Sequence, residues 1–140
     1  MQDPPASRMT HNNSWLFCGA LLGGLSVTLG SFGAHWLKAH LEKIHQTDNW
    51  ETAVRYCLFH AIVLLIVGIA HQIESFANVR VWLSRAGWCF LFGTLLFSGC
   101  LAVLALSGIK ILGAVVPIGG GLLIAGWLCM AYAGWSHKTT

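Results

Sequence analysis

Four apolar runs, each long enough to cross a lipid bilayer, constrain this chain more than any other feature. They cover about residues 15–37, 52–73, 86–107 and 111–135. At about 1.5 Å of rise per residue, each reaches across roughly 30 Å of hydrocarbon. Lipid offers the backbone no hydrogen-bond partner, so a spanning run must satisfy its own amides as a helix. Only 9% of the residues are charged against 56% hydrophobic, where a soluble domain carries about a quarter charged. The sequence therefore predicts an all-α integral membrane protein: four transmembrane helices in an up-down bundle, with a short interfacial helix between spans 1 and 2. The domain is expected over 15–135, with 1–14 as a polar, disordered lead and 136–140 as a short tail. The formal charge of +3 comes from scattered Lys and Arg, not from a basic patch, which excludes nucleic-acid binding.

The first run ends in Gly30-Ser31-Phe32-Gly33-Ala34-His35. As a helix it places Gly24, Thr28, Ser31 and His35 on one face. Such polar groups are expected to face protein or water. Gly19-x-x-x-Gly23 and Ser26-x-x-x-Gly30-x-x-x-Ala34 are small-residue ladders that let another helix approach closely. These glycines favour a retained span over a cleaved signal peptide, although Arg8 and the run after it mimic one. Trp15 and Trp36 mark the two interfaces. Residues 38–49 are polar with a weak apolar face of Leu37, Leu41 and Ile44, as a surface helix would have. His35, His40 and His45 recur every five residues, which scatters them around a helix and argues against a metal site.

Asp48 to Glu51 reads as a capping box opening the second span, with Glu51 and Arg55 one turn apart. Tyr56, His60, Leu64, Val67 and His71 share a face. His60 lies about 10 Å inside the run counted from Ala53, either as a functional group or as a neutral ring bonded to a carbonyl or hydroxyl. The third span carries Thr94 and Ser98 one turn apart, with Gly93 and Gly99 as packing points. Gly108-Ile109-Lys110 is a tight turn into the fourth span, where Pro117 to Gly121 predicts a kink, a break or a seat for a close neighbour. Gly121, Ala125 and Cys129 continue the small ladder. The five cysteines lie in apolar runs without C-x-x-C spacing and read as buried hydrophobes.

Ser31, His60 and Pro117 sit at matching depth, about 9 to 10 Å from the side of the bilayer opposite the termini. This predicts an intramembrane polar cluster of Ser31, His35, Arg55, Tyr56, His60 and Ser98. Gly30, Gly33, Ala34, Gly99, Pro117, Gly119, Gly120, Gly121 and Gly126 are the expected packing or kink positions. Arg8, Arg80, Arg85 and Lys138 share the termini side. Lys38, Lys43, Lys110 and a Glu51-offset Arg55 take the other, so the balance leans toward cytoplasmic termini.

Four blocks in order carry a family resemblance: Gly30 to Lys38, Trp50 to Tyr56 with His60-Ala61, Leu96 to Gly99, and Pro117 to Gly120 with Gly126-Trp127. Together they resemble the YgdD-like small inner-membrane proteins, domain of unknown function 423, whose eukaryotic relatives are called transmembrane protein 256. The resemblance spans about residues 15 to 135. It departs at Ser31 (usually alanine), Cys57 (often glutamine) and Cys100 (often serine). It implies a four-span protein of the bacterial inner membrane, or of a mitochondrial membrane in a eukaryote, and carries over no catalytic residue or cofactor.

With no nucleophile–base pair in view, the expected class is a non-enzymatic accessory, assembly or scaffold protein, working in the bilayer as a homo-oligomer or within a larger complex. Three alternatives stay open. One is a small-solute or proton-linked transport element around His60. Another is a haem or quinone subunit using His35, His60 or Tyr56, and the last is a lipid-directed enzyme.

Overall fold

The computed structural model describes residues 14–137, and every element in that range is helical. α1 is Ser14–Ala34, α2 Lys38–Lys43, α3 Thr47–Gln72, α4 Arg80–Ser107 and α5 Val116–Ser136, with 3-10 segments at Glu74–Val79 and Lys110–Ala114. Four of these stretches are long and apolar enough to span a membrane. At about 1.5 Å per residue, α1 and α5 are each about 31 Å long. The polar lead expected over 1–14 lies outside the described residues apart from Ser14, as do Arg8 and Lys138.

The chain runs up and down, and the helices pack as a row. α1 lies on α3, α3 on α4 and α4 on α5, with no comparable contact between α1 and α5. The two outer helices therefore bury the smallest share of their surface. Small residues set the spacing. At Gly19 an added Cβ would lie 2.8 Å from the Ala61 carbonyl oxygen and 2.9 Å from the Leu65 nitrogen, so only glycine lets α1 and α3 meet backbone to backbone. Along the middle of the row, Leu64, Val67, Ala86 and Phe90 are fully enclosed. A second, smaller core of Leu41, Trp50 and Ala105 closes the end where α2 lies.

Local chemistry sets the helix ends. No capping box forms: α3 begins at Thr47, and its preceding residue Gln46 makes no side-chain cap. Gln46 Oε1 instead accepts from Asn49 Nδ2 at 2.7 Å. The 3-10 segment Glu74–Val79 runs directly into α4, where Arg80 pairs with Glu74 at 2.9 Å and the Arg85 guanidinium sits 4.5 Å over the Trp82 ring. His71 Nε2 and Ser84 Oγ, 3.0 Å apart, tie α3 to α4 at the same end. Gly108 ends α4 with φ +69°, a left-handed conformation that glycine adopts without steric cost. Pro117 does not kink a helix. It stands in the first turn of α5, where its missing N–H would have no intrahelical acceptor.

Candidate functional site

Among the described residues, His60 is the one histidine enclosed by the bundle, at 6% exposure. Its Nδ1 lies 2.8 Å from the Tyr56 carbonyl oxygen one turn back, so Nδ1 carries the proton it donates there. Rings fill the rest of its surroundings. The centroids of Phe90, Tyr56 and Trp127 stand 5.6, 5.9 and 6.4 Å away. Tyr56 stacks on Phe97 at 4.6 Å, and Phe90 meets Trp127 edge-on at 5.3 Å. Gly126 creates this box: a Cβ there would lie 2.7 Å from Phe90 Cε1, so its absence lets the phenyl ring lie against α5.

A second polar group lies between α1, α3 and α4. Ser26 Oγ donates to the Leu22 carbonyl at 2.8 Å, and Cys57 Sγ lies 3.8 Å from the same oxygen. Facing them, Thr94 and Ser98 are buried at 1% and 6% exposure, and neither hydroxyl has a hydrogen-bond partner among the described residues. Both border a cavity of about 80 Å³ with otherwise mostly apolar walls.

The expected six-residue cluster does not assemble. Tyr56 and His60 come together, and Ser98 lies in the neighbouring α1–α3–α4 group. Arg55 stays at the surface, 3.9 Å from Glu51 with both side chains about 60% exposed. Ser31 and His35 are exposed and share an outer groove with Phe32 and Trp36. The reason is azimuthal. Residues 24, 28, 31 and 35 do share a face, but Gly19, Leu22 and Ser26 turn the opposite face of α1 toward α3. Thr28 accordingly bonds its own helix, donating to the Gly24 carbonyl at 2.9 Å. His35 and His60 are thus on different surfaces, and no three His, Cys, Asp or Glu side chains gather at metal-binding distance among the described residues.

The small residues divide in the same way. Gly33 lies against the Trp50 indole, and Gly119 against the backbone of Phe97. Gly30 and Gly120 face side chains at ordinary contact distance, while Gly99 and Gly121 face open space. Ala34 is exposed, at the end of α1. Sequence reasoning missed the ring walls Phe90, Phe97 and Trp127. The spacing of seven between the two phenylalanines was the available signal, since it puts them on one face of α4. It also missed Trp50, 3% exposed with its indole N–H lacking an acceptor.

The chain is similar to known proteins over most of its length. A family model described as protein of unknown function (DUF423) matches residues 29–120. A UPF0382 membrane protein of Staphylococcus haemolyticus is 44% identical over 83% of this chain and 90% of its own length. Another, from Staphylococcus aureus strain RF122, is 40% identical over 85% and 93%. The UPF0382 membrane protein YwdK of Bacillus subtilis is 36% identical over 85% and 94%. No solved structure matches the chain.

Proposed function

The chain belongs to the DUF423 family of membrane proteins, and from that premise we propose that it is a non-enzymatic accessory or scaffold subunit of the bacterial cell membrane, acting by helix packing. The observation that carries this reading is the outward face of α1. Gly24, Thr28, Ser31 and His35 are small or polar and turned away from the rest of the chain. An added Cβ at Gly24 would meet nothing within 4 Å. Lipid tails give Ser31 no hydrogen-bond partner, whereas a partner helix accommodates small residues and bonds polar ones. The partner is a transmembrane helix of another subunit or of a second copy. The polar residues of the interior support the same reading, because His60 is held by the Tyr56 carbonyl one turn back and by aromatic rings. Both termini are proposed to face the cytoplasm.

Gentle detergent purification from native membranes, followed by mass analysis and an absorption spectrum, tests this. A colourless assembly of fixed stoichiometry is expected. A pigmented protein would move it to redox chemistry. A colourless monomer whose His60→Ala variant folds but loses solute or proton flux would move it to transport.

A further inference from the structure

Beside the closed end of the bundle, α2 and the facing ends of α1 and α3 leave a slot of about 580 Å³. That is within the size range of small-molecule sites. Its mouth carries two cations and two anions, Lys38, Glu42, Glu51 and Arg55. They are not consumed by one another. Glu51 and Arg55 stand 3.9 Å apart, a loose and exposed contact, and neither Lys38 nor Glu42 has an ion pair among the described residues. Gly30, Leu41 and Val54 line the slot among these charges, and Leu58 lies about one turn beyond Arg55 on α3. From Thr47 to Leu58 the slot follows α3 for about 16 Å, from the surface helix into the hydrocarbon. Trp50 belongs to the same wall, nine-tenths or more buried, with its indole N–H unpartnered among the described residues and packed against the lining residue Gly33.

We propose that this slot binds a zwitterionic phospholipid with a primary amine, its phosphate between Lys38 and Arg55, its ammonium at Glu42 and Glu51, and an acyl chain along Val54 and Leu58. The charges select the head group. A phosphodiester alone matches the two cations and leaves two carboxylates facing an anion, whereas a phosphoethanolamine head matches both signs and its primary ammonium, unlike a quaternary one, donates hydrogen bonds to the carboxylates. A water-soluble phosphate compound leaves the apolar depth of the slot unfilled, and a neutral apolar molecule leaves four charges unmatched.

The full-length protein, delipidated in detergent, is titrated with phosphatidylethanolamine, phosphatidylcholine and phosphatidylglycerol and read by native mass spectrometry. One phosphatidylethanolamine should bind per chain, about tenfold tighter than either other lipid. Lys38→Gln combined with Arg55→Gln should weaken it about tenfold, and Lys43→Gln, outside the slot, should leave it unchanged. Glu42→Gln combined with Glu51→Gln should narrow the gap between the ethanolamine and choline lipids. Equal binding of the three lipids by the unmodified protein overturns the proposal without recourse to any variant. Competition by soluble glycerophosphoethanolamine at equal concentration overturns the lipid as the source of the head group.

Discussion

Gly119, Gly120 and Gly121 are consecutive, yet α4 meets them at three different distances, and this makes a sharp test of the packing. A Cβ at Gly119 would overlap the Phe97 backbone nitrogen and lie 2.9 Å from Phe97 Cα and 3.0 Å from the Gly93 carbonyl oxygen. None of these atoms can rotate away. Restoring an ordinary separation of about 3.5 Å from Phe97 Cα alone moves the helices apart by about 0.6 Å, and clearing the closer Phe97 nitrogen takes more, enough to forfeit a substantial part of the dispersion energy at that contact. At Gly120 the nearest atom is Phe97 Cδ2 at 3.7 Å, and at Gly121 nothing lies within 4 Å. Alanine gains about 1 kcal/mol over glycine in a helix, a term that nearly cancels between neighbouring positions. Overpacking costs about 1–3 kcal/mol. Gly119→Ala should therefore be about 1–3 kcal/mol less stable than Gly121→Ala, with Gly120→Ala close to the latter. Reversible unfolding in mixed micelles, followed by tryptophan fluorescence, measures the difference. Equal stability of the Gly119 and Gly121 variants would refute the reasoning, since it would mean that α4 and α5 do not meet through Gly119.

The buried hydroxyls of Thr94 and Ser98 have no hydrogen-bond partner among the described residues, so Thr94→Val and Ser98→Ala should be neutral or stabilising by about 1 kcal/mol in the same assay. At His60, phenylalanine keeps the ring stack and loses one hydrogen bond, costing about 1 kcal/mol. Alanine there removes the ring from between Tyr56, Phe90 and Trp127 and should cost about 3 kcal/mol or more, read from the unfolding midpoint. Gly108→Ala forces a side chain onto φ +69° and should lower stability by about 1–2 kcal/mol, checked by thermal unfolding in detergent.

The spans were legible because lipid leaves the backbone one solution, and length and apolarity suffice to find them. Which way each helix faces was not. An all-apolar helix gives little contrast between its faces, so the count that put Ser31 and His60 at the same depth carried no information about azimuth. α1 places Gly19, Leu22 and Ser26 inward, and residues 24, 28, 31 and 35 follow outward. Tyr56 and His60 were legible as neighbours because they lie one turn apart on α3, a local relation. The rings around them come from α4 and α5, and their approach depends on Gly126, whose role appears only once the helices are docked. Of the outcomes expected at Pro117 to Gly121, the close seat is present, at Gly119 against Phe97, and the kink is not. A proline breaks a helix only from its interior, and the 3-10 segment Lys110–Ala114 moves the start of α5 to Val116.

The account turns on the outer face of α1, and site-directed photo-crosslinking in native membranes tests it most directly. A photoreactive residue at Ser31 is compared with one at Ile124, an exposed apolar position on α5. The account predicts a discrete protein adduct from Ser31 and only lipid adducts from Ile124. Lipid adducts alone from both positions would show that nothing covers the Thr28–Ser31–His35 face, and would contradict the role proposed for it.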